Sequence, residues 1–152
     1  MLMNAPKEER RIFVYGSLRT GFFNYNKYLK GYVLKEEPAR IKGKLYHMPN
    51  KGYPALLDGE GYVYGEVFTI KNDEYTKVME SMDNMENYFN IGDSNNEYNR
   101  VAVKVELMNT NTFEVCYVYK YVVKNKKEFK TQSIYIPNGN WASYMTKFKK
   151  SS

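Results

Sequence analysis

The 152-residue chain has the length of one ordinary domain, enough to bury a core and too little for two. Hydrophobic residues make up 43% and charged residues 26%, a balance that disfavours disordered and fibrous classes. The formal charge is +6 and unevenly placed: from Tyr117 onward eight lysines stand against one acid, Glu128, so that segment carries +7 and the residues before it carry −1.

No run approaches the roughly 18 apolar residues of a membrane span, and the charged first eleven residues lead into no apolar signal core, so neither a membrane span nor a secretion signal is expected. Cys116 has no partner for an intrachain disulfide and no Asn-x-Ser/Thr sequon occurs, which makes the cytoplasm the expected location. A basic chain end attracts anionic polymers without sequence specificity, but terminal lysines more often serve solubility, so nucleic acid is not the expected partner.

In chain order, Ile12 to Leu18 opens with β-formers and breaks at Gly16, which predicts a first strand running into a turn. Ala39 to Met48 and Tyr53 to Leu56, separated by turn residues at Pro49 to Gly52, predict a strand pair, and Tyr62 to Ile70 a further strand. An amphipathic helix is predicted from Asn72 or Asp73, either of which can cap it. Gly92 to Asn96 reads as an exposed loop. Asn99 to Met108 and Phe113 to Val123 alternate as strands around a hairpin loop at Asn109 to Thr112. No internal repeat is present, and the pattern predicts one mostly β, α+β domain with few helices.

The far end of the helix is the informative place. With Tyr75 at zero and about 100° per residue, Val78 falls at about −60°, Met79 at about +40°, Met82 at about −20° and Glu86 at about +20°. If the helix runs that far, Glu86 lies within the apolar stripe, where desolvation raises a carboxyl toward the range of a general acid/base. If the helix stops at Asp83, Glu86 is an exposed connector residue. A second feature is Tyr15-Gly16-Ser17-Leu18, where a glycine at a strand exit lets successive backbone N–H groups form an anion-holding nest, although many strands end in Gly-Ser.

Other chemistries find less support. Ser17 lacks a nucleophile elbow, and His47 is the sole histidine. One histidine and one cysteine leave no Cys/His metal cluster, so no metal is expected. The glycines at 59, 61 and 65 are misspaced for a dinucleotide loop and lead into a strand. Cys116 reads as a buried structural thiol, and Glu66 either faces the pocket or, the more common role, forms a rim ion pair.

These pieces together resemble the γ-glutamylcyclotransferase-like family, of the γ-glutamylamine cyclotransferase type, over roughly Ile12 to Tyr144. The carrying residues are Val14-Tyr15-Gly16-Ser17-Leu18-Arg19 with Gly21 and an asparagine at 24 or 26, Tyr53-Pro54-Ala55-Leu56, Gly61-Tyr62-Val63-Tyr64-Gly65-Glu66-Val67-Phe68, Met82-Asp83-Asn84-Met85-Glu86, Tyr98-Asn99-Arg100, a strand with Tyr119, and Asn138-Gly139-Asn140-Trp141. The Lys and Asn bias resembles that of a low-GC bacterial source.

The resemblance implies a single α+β domain over 1–152, a small mixed, mainly antiparallel β-barrel with a few packed helices. It also implies cofactor-independent release of 5-oxoproline from a small-molecule γ-glutamyl amine or amino acid. Tyr15, Gly16, Ser17 and Leu18 then cradle the glutamyl group and Glu86 is the acid/base, with Tyr88, Tyr98, Arg100 and Tyr119 as further pocket residues. Three departures stand out: the family's Asn-His pair after the loop is absent, the glycine that commonly follows the catalytic glutamate is Asn87, and the stretch Phe89 to Asn96 is longer than in many relatives. A catalytically silent ligand binder on the same fold, and a nucleic-acid module using the lysine-rich end, are the competing readings.

Overall fold

A computed structural model describes the backbone of residues 2–3 and 10–151 and the side chains of residues 10–147. Most of the charged N-terminal stretch, and the side chains of Lys149 and Lys150, lie outside the described residues.

Seven strands form one sheet: β1 (Leu2–Met3), β2 (Ile12–Val14), β3 (Val33–Met48), β4 (Tyr53–Ile70), β5 (Tyr98–Leu107), β6 (Thr112–Tyr121) and β7 (Ile134–Tyr135). Pairing runs β6–β2–β4–β3–β5, and β5 returns to β6 through a register from Tyr98–Tyr121 to Leu107–Thr112, which closes the ring. Closure removes the free strand edges of an open sheet. The pairs are antiparallel except where β6 meets β2 and β1, as expected for a mixed, mainly antiparallel barrel.

The stretches foreseen as separate strands at Tyr53 and Tyr62 are one long β4. The register passes from Lys44–Leu57 to Lys42–Tyr62, so residues 58–61 bulge outward without breaking the strand. β6 ends at Tyr121, two residues before the expected limit.

One short strand feeds two buried layers. Ile12 and Val14 of β2 join Leu29, Phe68, Tyr75, Val78, Met79 and Met82 under helix α1 (Tyr75–Met85). Phe13, in between, joins Leu45, Leu56, Val63, Val67, Val105, Cys116 and Val118 from the other strands. Successive side chains of a strand point to opposite faces, so a strand buried on both faces reads as a continuous apolar run.

The predicted helix stripe is buried as expected, but neither Asn72 nor Asp73 caps α1. A 3₁₀ turn at Asn72–Glu74 precedes the helix instead, with the Glu74 N–H donating to the Lys71 carbonyl at 3.0 Å. A π-helical turn (Tyr25–Leu29) and helices α2 (Lys126–Gln132) and α3 (Trp141–Ser151) were not foreseen. Asn125 caps α2, its side-chain oxygen accepting from the Glu128 N–H at 3.0 Å. Among the described residues no helix is long and apolar enough to cross a membrane.

Candidate functional site

The turn leaving β2 is shaped by close contact. Gly16 packs against Pro54 so tightly that a Cβ at residue 16 would stand 2.5 Å from Pro54 Cγ, so only glycine fits there without moving the proline. Beyond it, Arg19 Nε and the Thr20 N–H each reach Glu66 Oε1 at 3.2 Å, which makes Glu66 a brace for the loop, as its rim ion-pair reading anticipated. Asn24 donates to Ser17 Oγ at 2.7 Å and the Tyr25 N–H to the Ser17 carbonyl at 3.2 Å, while the described contacts give the Ser17 and Leu18 backbone N–H groups no protein acceptor. Those two groups remain available to a ligand.

Opposite the turn stands the end of α1. Glu86 keeps right-handed helical dihedrals and its N–H donates to the Met82 carbonyl at 2.9 Å, so the stripe extends to Glu86 and the exposed-connector alternative does not hold. The helix then stops in a Schellman arrangement: Tyr88 N–H donates to the Asp83 carbonyl at 2.9 Å and Asn87 N–H to the Asn84 carbonyl at 3.2 Å, with Asn87 at φ 53°. Asparagine suits that left-handed position, because it tolerates positive φ better than most residues other than glycine.

The segment after the helix folds back on itself around Asn96. This side chain is fully buried, accepts from the Phe89 N–H at 2.7 Å, and donates to the Asn90 carbonyl at 2.7 Å and to Asn99 Oδ1 at 3.0 Å. The expectation of an exposed loop at Gly92 to Asn96 is corrected at this residue, because a buried amide with three bonds organises the loop from within. The return places Glu97 immediately before β5, where Lys51 Nζ (2.6 Å), Tyr53 Oη (2.8 Å) and Asn87 Nδ2 (3.1 Å) all donate to its carboxylate.

A narrow pit lies between turn and helix, lined by Tyr15 to Leu18, Glu86, Tyr98 and Tyr119, together with Phe13, Val14, Tyr53, Pro54, Met85 and Glu97. The phenols are anchored: Tyr15 Oη donates to the Tyr119 carbonyl at 2.5 Å, Tyr98 Oη to the Pro54 carbonyl at 2.7 Å and Tyr119 Oη to Asp83 Oδ1 at 2.7 Å. Arg100 and Tyr88 lie off the pit. Arg100 pairs with Asp83 Oδ2 at 2.8 Å, behind Tyr119, and Tyr88 stacks on its guanidinium at 5.4 Å. His47 is buried and accepts from Trp141 Nε1 at 3.1 Å, which leaves it as a packing residue.

The two glutamates of the pit are driven apart. Burial, with the neighbouring charges of Glu97 and Asp83 added, pushes the Glu86 carboxyl up from 4.5 to about 8. Burial also presses on Glu97, but the hydrogen bonds from Lys51, Asn87 and Tyr53 outweigh it and hold that carboxyl below its ordinary value. One acid is thus protonated near neutral pH while the other is a fixed anion, a division found where acid and base roles are set by environment. Burial raises Tyr15, Tyr98 and Tyr119, which stay neutral donors. Among the described residues no group of three or more His, Cys, Asp or Glu is placed to hold a metal ion.

Sequence reasoning did not single out Glu97 or Tyr53 as site residues. Tyr53 belongs to a stretch already marked by its Tyr-Pro-Ala-Leu pattern. Glu97 carries no local signal, because its place depends on the fold of the ten residues before it.

The fold and site define a small barrel protein with an enclosed carboxyl facing a backbone turn. The chain belongs to the gamma-glutamyl cyclotransferase, AIG2-like family, whose model matches residues 12–143. Over 108 residues it is 34% identical to the gamma-L-glutamyl-butirosin B gamma-glutamyl cyclotransferase of Niallia circulans, a match covering 71% of this chain and 65% of that protein, just under two thirds of its length. Among solved structures, YkqA of Bacillus subtilis shares the fold with a TM-score of 0.65 at 23% identity, over 95% of this chain and 43% of that one. An AIG2-like protein of Mus musculus gives 0.61 at 21% identity, over 78% of this chain and 81% of that one.

Proposed function

We propose that the chain is a γ-glutamyl cyclotransferase that closes 5-oxoproline from a small γ-glutamyl amide, with Glu86 as its acid/base and the Tyr15 to Leu18 turn as the glutamyl cradle. The observation that carries this reading is the Glu86 carboxyl, pushed up to about 8 and facing free backbone N–H groups across a narrow pit. A substrate α-ammonium has a pKa of about 8 and cannot attack until it loses a proton. Ionised Glu86 takes that proton, and the freed amine attacks the γ-carbonyl carbon, forming the ring C–N bond.

The Ser17 and Leu18 N–H groups hold either the α-carboxylate or the developing oxyanion. Glu86 then returns its proton to the departing nitrogen as the scissile C–N bond breaks. The second proton of the attacking nitrogen leaves with the amine, which departs as an ammonium ion. Holding both reacting groups in one molecule makes the closure intramolecular, which removes much of its entropic cost. Tyr15, Tyr98 and Tyr119 wall the pit, with Arg100 and Tyr88 acting from behind through Asp83. The whole chain is read as one such domain, working in the cytoplasm on a small molecule.

The test is 5-oxoproline release from a panel of γ-glutamyl amines and γ-glutamyl amino acids, including the γ-L-glutamyl-butirosin B of the Niallia relative's name. Release by the wild type that Glu86→Gln abolishes, with the fold kept, is the expected outcome. Undiminished release by Glu86→Gln would sink the assignment.

A further inference from the structure

The pit is the smaller of two depressions that meet at Glu97. It offers about 50 Å³; beyond Glu97 a groove of about 400 Å³ runs along α2, bounded by the Asn50–Lys51 turn and the chain from Tyr121 to Asn125. Resting on the cyclotransferase reading above, we propose that this groove receives the amine half of the substrate, and that this half is a bulky polar amine carrying further hydroxyl or amino groups.

Direction supports it first. The proton on Glu86 goes to the departing nitrogen, so the amine half must hang on the Glu86 side of the pit. Glu97, whose charge acts on Glu86, lines both the pit and the groove. The opposite end meets a shelf of about 580 Å³ at Ser17 and Tyr53, on the side of the turn that cradles the glutamyl group. That shelf, lined by Phe22, Phe23 and Trp141 among others, has no charged side chain.

Size follows, since ammonia or methylamine would leave nearly all of the groove empty. Chemistry then selects the occupant. The groove wall is aromatic at Tyr121 and Phe129, whose rings stack at 5.7 Å and 28°. The Asn50 and Gln132 amides face each other across it at 3.5 Å, weakly enough to exchange for a ligand. Glu128 lines the groove as an exposed carboxylate and, like Glu36, Glu60, Glu74, Glu80 and Glu86, holds no ion pair among the described residues. Lys124 at the rim balances its charge, so hydrogen bonding rather than net charge sorts the ligands.

The experiment compares γ-glutamyl-methylamide with N-(γ-glutamyl)glucosamine. Wild type should favour the glucosamine amide by about tenfold in kcat/KM, the size of one or two added hydrogen bonds. Gln132→Trp fills the groove from an exposed position, and Glu128→Gln removes its free anion. Each should raise KM for the glucosamine amide, the first by about tenfold, and leave turnover of the methylamide unchanged.

Calorimetric titration of both amides into Glu86→Gln, with and without Gln132→Trp, reads the site independently of turnover. Selective weakening of the glucosamine amide supports the groove even if no 5-oxoproline forms with any substrate, in which case the cyclotransferase reading falls alone. Equal effects on the two amides, no effect on either, or binding of neither overturns the inference.

Discussion

Glu86 should make the protein less stable as pH rises, and replacing it should remove that penalty. Its carboxyl ionises at about 8 in the folded state against 4.5 ordinarily. The folded protein therefore binds the proton more tightly than the unfolded chain does. Below pH 4.5 both states are protonated and the residue costs nothing by this route. Between 4.5 and about 8 the unfolded chain releases a proton that the folded protein keeps, so stability falls by about 1.4 kcal/mol per pH unit. Above about 8 both states are ionised and the loss levels off at about 5 kcal/mol.

Glu86→Gln keeps the shape and cannot ionise. Urea unfolding of both proteins at pH 5, 6.5 and 8 should give a stability difference that is small at pH 5 and grows with pH in favour of the variant. A difference that stays flat across this range would refute the claim that the pit desolvates this carboxyl, whatever the reaction proves to be.

Three further outcomes are expected. The kcat/KM profile for 5-oxoproline release should be a bell centred at about 8, because the proposed reaction needs one proton shared between Glu86 and the substrate amine. Glu86 is faced by Tyr15, Tyr53, Tyr98, Tyr119, Asp83 and Glu97. Among these Glu97 is the held anion, so Glu97→Gln should move the Glu86 limb to lower pH and Lys51→Met, which uncovers that anion, to higher pH; shifts of the same sign would count against the arrangement. Gly16→Ala must displace Pro54 and should cost about 1–3 kcal/mol in denaturant unfolding, and a loss no larger than that of an exposed surface substitution would mean that the close contact is not limiting. Asn96→Ala strips three hydrogen bonds from a buried loop and should cost about 1–3 kcal/mol, with faster amide exchange from Phe89 to Asn96 as the local readout; exchange rates like the wild type's would show that Asn96 does not organise the loop.

The strands were legible because their side chains alternate between two environments and their turns carry Pro, Gly and Asn. The α1 stripe was legible for the same kind of reason, at helical period. What escaped were segments whose structure is imposed from outside. Helix α2 has a lysine-rich sequence with no apolar stripe and is held by one Asn125 cap and the contact of Phe129 with Tyr46 and Tyr121. The α1 start was misplaced because several polar residues in a row can each cap a helix, and the backbone resolved the choice with a 3₁₀ turn.

Spacing on one helix put Glu86 on an apolar stripe, and the order of short motifs paired it with the Tyr15 to Leu18 turn. The first relation was legible on condition that the helix ran that far, and the second, like the mainly antiparallel barrel, came through the family resemblance that those motifs carry. Tertiary structure decided which residues share the pit. It brought Glu97 and Tyr53 into the wall, placed Tyr88 and Arg100 behind it, and joined the pit to the groove along α2. A carboxyl's proton affinity is set by how much water and which charges surround it, and here those neighbours come from β4, β5, β6 and α1. No period within one segment encodes that meeting; it exists only once the barrel has closed.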